Sequence, residues 1–146
     1  MSQEHYSKLK NMYLSANINN EFFETTQCEI SDQQAEISIE ISDKYFHALG
    51  AMHGAIYFKL LDDSAYFAAN SVVKDVYVLT TSYTVHFVRP VTEGRIRAVG
   101  KLKFASKNLY IAESHLYNEK GKEVAFGTGH FAPSKNLLSE IESYKL

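Results

Sequence analysis

The hydrophobic pattern of this chain changes period twice. Ala35, Ile37, Ile39 and Ile41 alternate strictly with Glu36, Ser38 and Glu40. A period of two marks a strand with one buried face. The run before it, residues 21–30, reads as a strand broken around Thr25–Gln27. With a turn at Ser31-Asp32, the two runs predict a hairpin. From Gly54 to Asn70 the pattern is different. Ile56, Tyr57, Phe58, Leu60, Leu61, Ala65, Tyr66, Phe67, Ala68 and Ala69 leave hardly any polar side. A helix that is apolar nearly all round belongs inside a core. Two carboxylates, Asp62 and Asp63, interrupt this one. Carboxylates are costly to bury unless they are paired or used.

After Asn70-Ser71 the β pattern returns for good. Residues 76–88 form a long β-rich run that stops at Arg89-Pro90, and Thr92-Glu93-Gly94 is a turn. Residues 95–104 alternate, with Ile96, Ala98, Gly100, Leu102 and Phe104 on one side. Turns at Ser106-Lys107-Asn108 and Asn118-Glu119-Lys120-Gly121 set off strands over 109–117 and 122–132, the last ending near Pro133. At the start, residues 2–15 place Tyr6, Leu9, Met12 and Tyr13 at helical spacing, with Ser2 as the cap. Asn17 to Asn20 is turn chemistry, 42–46 an irregular turn, and the residues from Asn136 onward a short helix or a frayed tail.

The predicted order is helix, two strands, a buried helix, then four strands in a meander. The simplest way to bury the long helix is to curl a six-stranded antiparallel sheet around it, an α+β architecture. We expect one domain over residues 1–146: an N-terminal helix at 2–15, a core at about 20–133 and a tail at about 135–146. Residues 76–88 are the predicted exposed edge. A long edge strand invites pairing with a second copy, so a homodimer with a continuous sheet is expected.

Composition narrows the function classes. The chain has 146 residues, 45% hydrophobic and 22% charged, the balance of a globular core rather than a disordered segment. Net charge is −2 and the lysines are scattered, which gives no footprint for nucleic acid. Cys28 stands alone, so an internal disulfide is excluded and no metal cluster is expected. No apolar run reaches the roughly 20 residues of a membrane span. The first residues, M-S-Q-E-H-Y-S-K, lack the apolar core of a signal peptide, so a cytoplasmic location is the default expectation.

The candidate chemistry lies on the buried helix. Gly54 falls where that helix begins, and a helix N-terminus offers unpaired N–H groups and partial positive charge. A glycine there either lets a carbonyl approach or only permits tight packing. Asp62 comes eight residues later, about 12 Å along the axis, so the two cannot reach one substrate atom within one chain. Asp62 is a candidate nucleophile or general base; its structural alternative is an ion pair with Lys59, one helical turn earlier. Asp63 is rotated by about 100° and is assigned a structural role. No spacing of His, Asp or Glu fits a metal site.

These marks together resemble a family. The junction His53-Gly54-Ala55, Asp62 eight residues after Gly54, and the hydroxyl-rich strand Thr80-Thr81-Ser82 leading to Arg89-Pro90 are similar to the hotdog-fold acyl-CoA thioesterases of the phenylacetate-pathway (PaaI-like) type. The resemblance covers about residues 20–133. In that family the junction is usually His-Gly-Gly, and an Asn or Gln usually stands six residues before the histidine. Here Ala55 replaces the second glycine and His47 stands at the amide position.

The resemblance implies a hotdog fold and hydrolysis of an acyl-CoA to a free acid and coenzyme A, with no cofactor beyond the coenzyme A of the substrate. It implies two shared sites per homodimer, in which Asp62 of one chain faces the Gly54 N–H of the other, and assembly as a dimer of dimers. Thr80 corresponds to the family's Ser or Thr; it either holds the attacking water or bonds Asp62 across the dimer. His47 is a candidate second donor to the carbonyl, through its single N–H when neutral. His53 lines the pocket or caps the helix. Ala55 and Thr81 are further candidates for substrate contact, although Thr81 is expected on the opposite strand face from Thr80. Lys107, then Arg89, are the candidates for the coenzyme phosphates, ahead of Arg95, Arg97, Lys101 and Lys103. Tyr57, Tyr66 and Tyr83 are candidates for setting acyl specificity. Two rival readings of the same fold are an acyl-thioester dehydratase or isomerase, which needs a histidine beside the carboxylate, and a non-catalytic acyl-CoA-binding module, which the changes at 47 and 55 favour.

Overall fold

The long apolar helix runs over Gly54–Asn70 (α3), as its pattern predicts. His53 caps it, its Nδ1 accepting from the Ala55 N–H at 2.9 Å. The helix ends at Asn70, whose buried amide donates to the Val73 carbonyl at 2.9 Å. Leu60, Leu61, Ala65, Ala68 and Ala69 have no exposed surface at all. Burial of a leucine of this kind is worth about 2 kcal/mol. In the computed structural model, which describes residues 2–146, a six-stranded antiparallel sheet curls around this helix. This is the hotdog fold. Gly100 shows how closely the layers meet: a Cβ there would lie 2.2 Å from the Ser64 carbonyl oxygen of the helix. Only glycine allows that approach.

The strands are β1 (Gln27–Ser31), β2 (Gln34–Glu40), β3 (Val76–Phe87), β4 (Arg95–Ala105), β5 (Tyr110–Tyr117) and β6 (Glu123–Leu137). Their order across the sheet is β1-β2-β4-β5-β6-β3. The β1–β2 hairpin is present. The four-strand meander is not. Only β4, β5 and β6 follow one another; β3 pairs with β6 at the far edge, so the chain crosses from one side of the sheet to the other between β3 and β4. Hydrophobic alternation fixes which face of a strand is buried, not which neighbour it has. The predicted edge position of residues 76–88 survives this correction.

Other boundaries also moved. Residues 17–22 form a short helix, α2 (Asn17–Phe22), rather than a turn, so β1 begins at Gln27 and not near residue 21. The N-terminal helix, α1 (Ser2–Ser15), buries Leu9, Met12 and Tyr13. Ser2, the expected cap, lies within the helix, and its hydroxyl accepts from Lys74. β6 continues through Pro133, which faces Val78. Its pairing with β5 has ended by then, at Phe131, so the ladder lacks only one side there and the missing N–H is tolerated. Phe104, expected to face inward, is half exposed because an irregularity between Leu102 and Phe104 shifts the register. Beyond β6 the tail docks on α1: Tyr144 bonds the buried His5, and the Asn11 amide donates to the Lys145 carbonyl at 2.8 Å.

Candidate active site

Asp62 and Asp63 occupy different surroundings. Lys59 lies three residues before Asp62 and four before Asp63, within reach of both. It pairs with Asp63, Nζ to Oδ2 at 2.7 Å, and not with Asp62. The structural pairing expected for Asp62 therefore belongs to its neighbour. Asp63 also accepts from the Tyr13 hydroxyl at 2.7 Å. Asp62 accepts from the Thr80 hydroxyl at 2.9 Å, and no cation pairs with it among the described residues. This bond lies within one chain, so of the two readings of Thr80 the bond to Asp62 is formed without a dimer, and the water-holding reading is left as it stood. Burial pushes the Asp62 carboxyl up to about 6, and the Asp63 anion adds to the effect; the Thr80 bond and Lys59 oppose it.

Asp62 and Thr80 line a cavity of about 530 Å³. Its floor is α3 and β3, with Tyr66, Phe67 and Tyr77. Its outer wall comes from α1, α2 and the tail, through Tyr13, Ile18 and Ile141. Thus Tyr66, of the three tyrosines proposed for specificity, lies beside Asp62. Tyr83 bonds Ser114 instead. Thr81 sits at a register shift, where the extra residue of β3 is accommodated between Thr80 and Ser82. Its hydroxyl donates to the His130 carbonyl at 3.1 Å, so it belongs to the sheet and not to this cavity.

The start of α3 forms a second, smaller cavity of about 390 Å³, lined by His47, Gly54, Tyr57, Phe87 and Arg89. The Ala55 N–H is used by His53 and the Ile56 N–H by the His53 carbonyl, at 2.9 and 3.0 Å. The Gly54 N–H has no acceptor among the described residues. It is the free donor at the positive end of the helix. His47 Nδ1 accepts from the Leu49 N–H at 3.1 Å, which places the ring proton on Nε2 and leaves that nitrogen as a donor. His53, by contrast, is the cap and does not line this cavity. Ala55 is exposed on the first turn.

Arg89 flanks the Gly54 cavity, its guanidinium bonded to the Glu123 carbonyl at 2.6 Å. Lys107 is exposed in the turn between β4 and β5 and lines neither cavity. Three of the other basic residues are engaged elsewhere: Arg95 with Glu40, Arg97 with Glu36 and Lys103 with Glu113. A larger and shallower depression, between α1 and the tail, holds neither the glycine nor the aspartate. No group of three or more His, Cys, Asp or Glu is placed to hold a metal ion among the described residues. No helix of the described residues is long and apolar enough to cross a membrane.

Sequence reasoning missed Tyr13 and Asn19. Both come from segments outside the His53–Asp62 motif and reach Lys59 only through the fold, the Asn19 side-chain oxygen accepting from Nζ at 2.8 Å. The one available signal was the choice Lys59 has between two carboxylates.

The fold and this helix place the chain among hotdog proteins, and comparison with known proteins agrees. Residues 49–125 match the family model described as Thioesterase superfamily, and the chain belongs to that family. Among solved structures it is similar to the Escherichia coli PaaI protein from the phenylacetic acid degradation operon, with a TM-score of 0.83 and 17% identity over 93% of this chain and 97% of that one. It is also similar to a conserved protein of Pseudomonas aeruginosa (TM-score 0.75, 23% identity, 84% of this chain and 97% of that). A thioesterase from Haemophilus influenzae gives a TM-score of 0.72 at 16% identity, over 85% of this chain and 87% of that. A search of curated proteins finds no sequence match.

Proposed function

We propose that this protein is an acyl-CoA thioesterase whose site is completed by a second copy of the chain. The observation that carries this reading is the separation of its two chemical parts. An unpaired carboxylate in an apolar cavity and a free helix-terminal N–H lie on one helix, eight residues and about 12 Å apart. Neither suffices alone. Two copies with their central helices antiparallel bring the Asp62 of each to the Gly54 of the other, giving two sites per homodimer. The surface fits such pairing: edge strand β3 leaves Leu79 and Phe87 half exposed, as is Val88 just after it, and Phe58 is exposed on α3. A dimer of dimers joins two such units.

In this site the thioester carbonyl points at the Gly54 N–H, with the His47 Nε2–H as a second donor. Asp62 either takes a proton from water, which adds to the carbonyl carbon, or attacks that carbon itself to give a mixed anhydride that water opens. In both routes the C–S bond breaks, the coenzyme leaves as thiolate and the acid is released. Thr80 orients the Asp62 carboxylate. Arg89 lies at the Gly54 cavity and suits the coenzyme phosphates; Lys107 lines neither cavity. A single turnover in ¹⁸O water separates the routes, since only the anhydride leaves label in Asp62.

The test is hydrolysis of a panel of acyl-CoAs followed with a thiol reagent. Turnover by the wild type that Asp62→Asn abolishes is the expected result. Inactivity toward the whole panel, or full activity in Asp62→Asn, overturns the reading. The dehydratase alternative needs a histidine at Asp62: within one chain neither His47 nor His53 lines the Asp62 cavity, and in the shared site only His47 of the other chain could supply it. Formation of an enoyl-CoA from a 3-hydroxyacyl-CoA is the result that would favour it.

A further inference from the structure

The Lys59 ammonium has three hydrogens and three acceptors: Asp63 at 2.7 Å, the Asn19 side-chain carbonyl at 2.8 Å and the Tyr13 hydroxyl at 3.2 Å. It also lies over the Phe23 ring, 4.4 Å from the centroid. The Tyr13 hydroxyl in turn donates to Asp63. Every donor of this lysine is spent, and none is directed at Asp62, one short helical step away. The same four residues join three elements, because Tyr13 comes from α1, Asn19 from α2, and Lys59 and Asp63 from α3. All four line the cavity that holds Asp62.

We propose that Lys59 and Asp63, locked by Tyr13 and Asn19, form a positioning clamp: it seats α1 and α2 as the outer wall of the acyl cavity and keeps the Lys59 ammonium off Asp62. The inference deepens the reading of Asp62 as the reacting carboxylate and rests on it for its catalytic meaning. A carboxylate salt-bridged to lysine is a poor nucleophile and a poor base. Here a second aspartate takes the lysine, so the first stays reactive. The titratable groups around Asp62 are Lys59, Asp63 and Tyr66 on its own helix, Tyr13 from α1, and Tyr77 and Tyr83 from β3. Of these, only Lys59 and Asp63 carry charge at neutral pH.

The clamp is tested by following the ¹³C resonance of the Asp62 carboxyl against pH, in the full chain, together with the pH profile of kcat/KM. In Asp63→Asn the lysine loses its anionic partner and turns to Asp62, so the Asp62 midpoint falls by about one pH unit or more. In Lys59→Met the Asp63 anion is left uncompensated, so the midpoint rises by about as much and KM increases as the wall loosens. The double variant Lys59→Met/Asp63→Asn removes both charges, leaves no unpaired one, and returns the midpoint to near the wild-type value. A clamp that only supports the fold would leave the midpoint in place. Single variants that leave it unmoved, or move it the same way, overturn the proposal, as does a double variant that keeps a shift. Where Lys59→Met does not fold, Asp63→Asn and the double variant decide. Because the NMR titration needs no turnover, opposed shifts in a chain inert toward every acyl-CoA would sink the thioesterase reading and leave the clamp standing.

Discussion

Asp62 and Asp63 are neighbours in sequence and line one cavity, yet the fold treats them in opposite ways. Asp63 is compensated: Lys59 and Tyr13 bond it, Asn19 holds Lys59 in place, and the pair is mostly shielded from solvent. Asp62 has one hydroxyl and no cation. A carboxylate kept in apolar surroundings without a counter-charge weakens the fold whenever it is ionised. The difference teaches that burial alone does not mark a functional acid. What sets Asp62 apart is burial together with a lysine within reach that the fold spends elsewhere.

Substitution to asparagine should therefore invert the two sites. Asp62→Asn is expected to lower kcat/KM by roughly 100- to 10,000-fold, the usual contribution of such a group. It should at the same time raise stability at pH 8 by about 2 kcal/mol, read from urea unfolding, because the neutral amide is spared the cost of burying charge. The sign follows from linkage. The folded-state value of about 6 lies above the ordinary 3.8, so the folded protein binds the proton more tightly. Stability is greatest below the unfolded value and falls as pH rises through about 6. Activity runs the other way: kcat/KM of the wild type should rise through about pH 6, as the carboxylate forms.

Gly54→Pro sharpens the comparison from the other end of the helix. It removes an N–H with no acceptor among the described residues, at the first helical position, where proline is tolerated. His53 already has the extended backbone, φ −66° and ψ 143°, that a following proline requires. The expected loss is about 100- to 1,000-fold in kcat, with a circular dichroism spectrum like that of the wild type. Thr80→Val should cost roughly 10-fold in kcat/KM and move the acid limb upward, since the lost bond favours the charged form of Asp62. Asp63→Asn should have the smallest effect on rate, a loss of about 5-fold at pH 8, as Lys59 turns to Asp62 and makes it a weaker base. It should nevertheless lose about 1–2 kcal/mol of stability, because the Lys59–Asp63 pair is broken and Lys59 must turn to Asp62.

Much of this was legible in the chain. The central helix could be read to its end residues because its apolar run is bounded by a glycine-rich loop on one side and Asn-Ser on the other. The alternation over 35–41 gave β2, and the inward line Ile96-Ala98-Gly100-Leu102 gave the face of β4 that meets the helix. The place of β3 was not legible, because a strand's period says nothing of its neighbour, and the long connection to β4 has no signature distinguishing it from a hairpin. The short helix at 17–22 was hidden by asparagines that suit turns as well as helix starts. At the candidate site, the Gly54–Asp62 spacing and the hydroxyl at Thr80 were visible, but the choice Lys59 makes between two carboxylates was not. It depends on Tyr13 and Asn19, 40 or more residues away in sequence.

The claim on which the rest depends is that each site takes Asp62 from one chain and Gly54 from the other. Mixing Asp62→Asn with Gly54→Pro after partial denaturation and reassociation tests it directly. Each variant alone should be nearly inert. Half of the reassociated dimers should be mixed, each with one intact site of two, so activity should return to roughly a quarter of wild type. A mixture that stays as inactive as its parts, with exchange of subunits verified, would contradict the shared site.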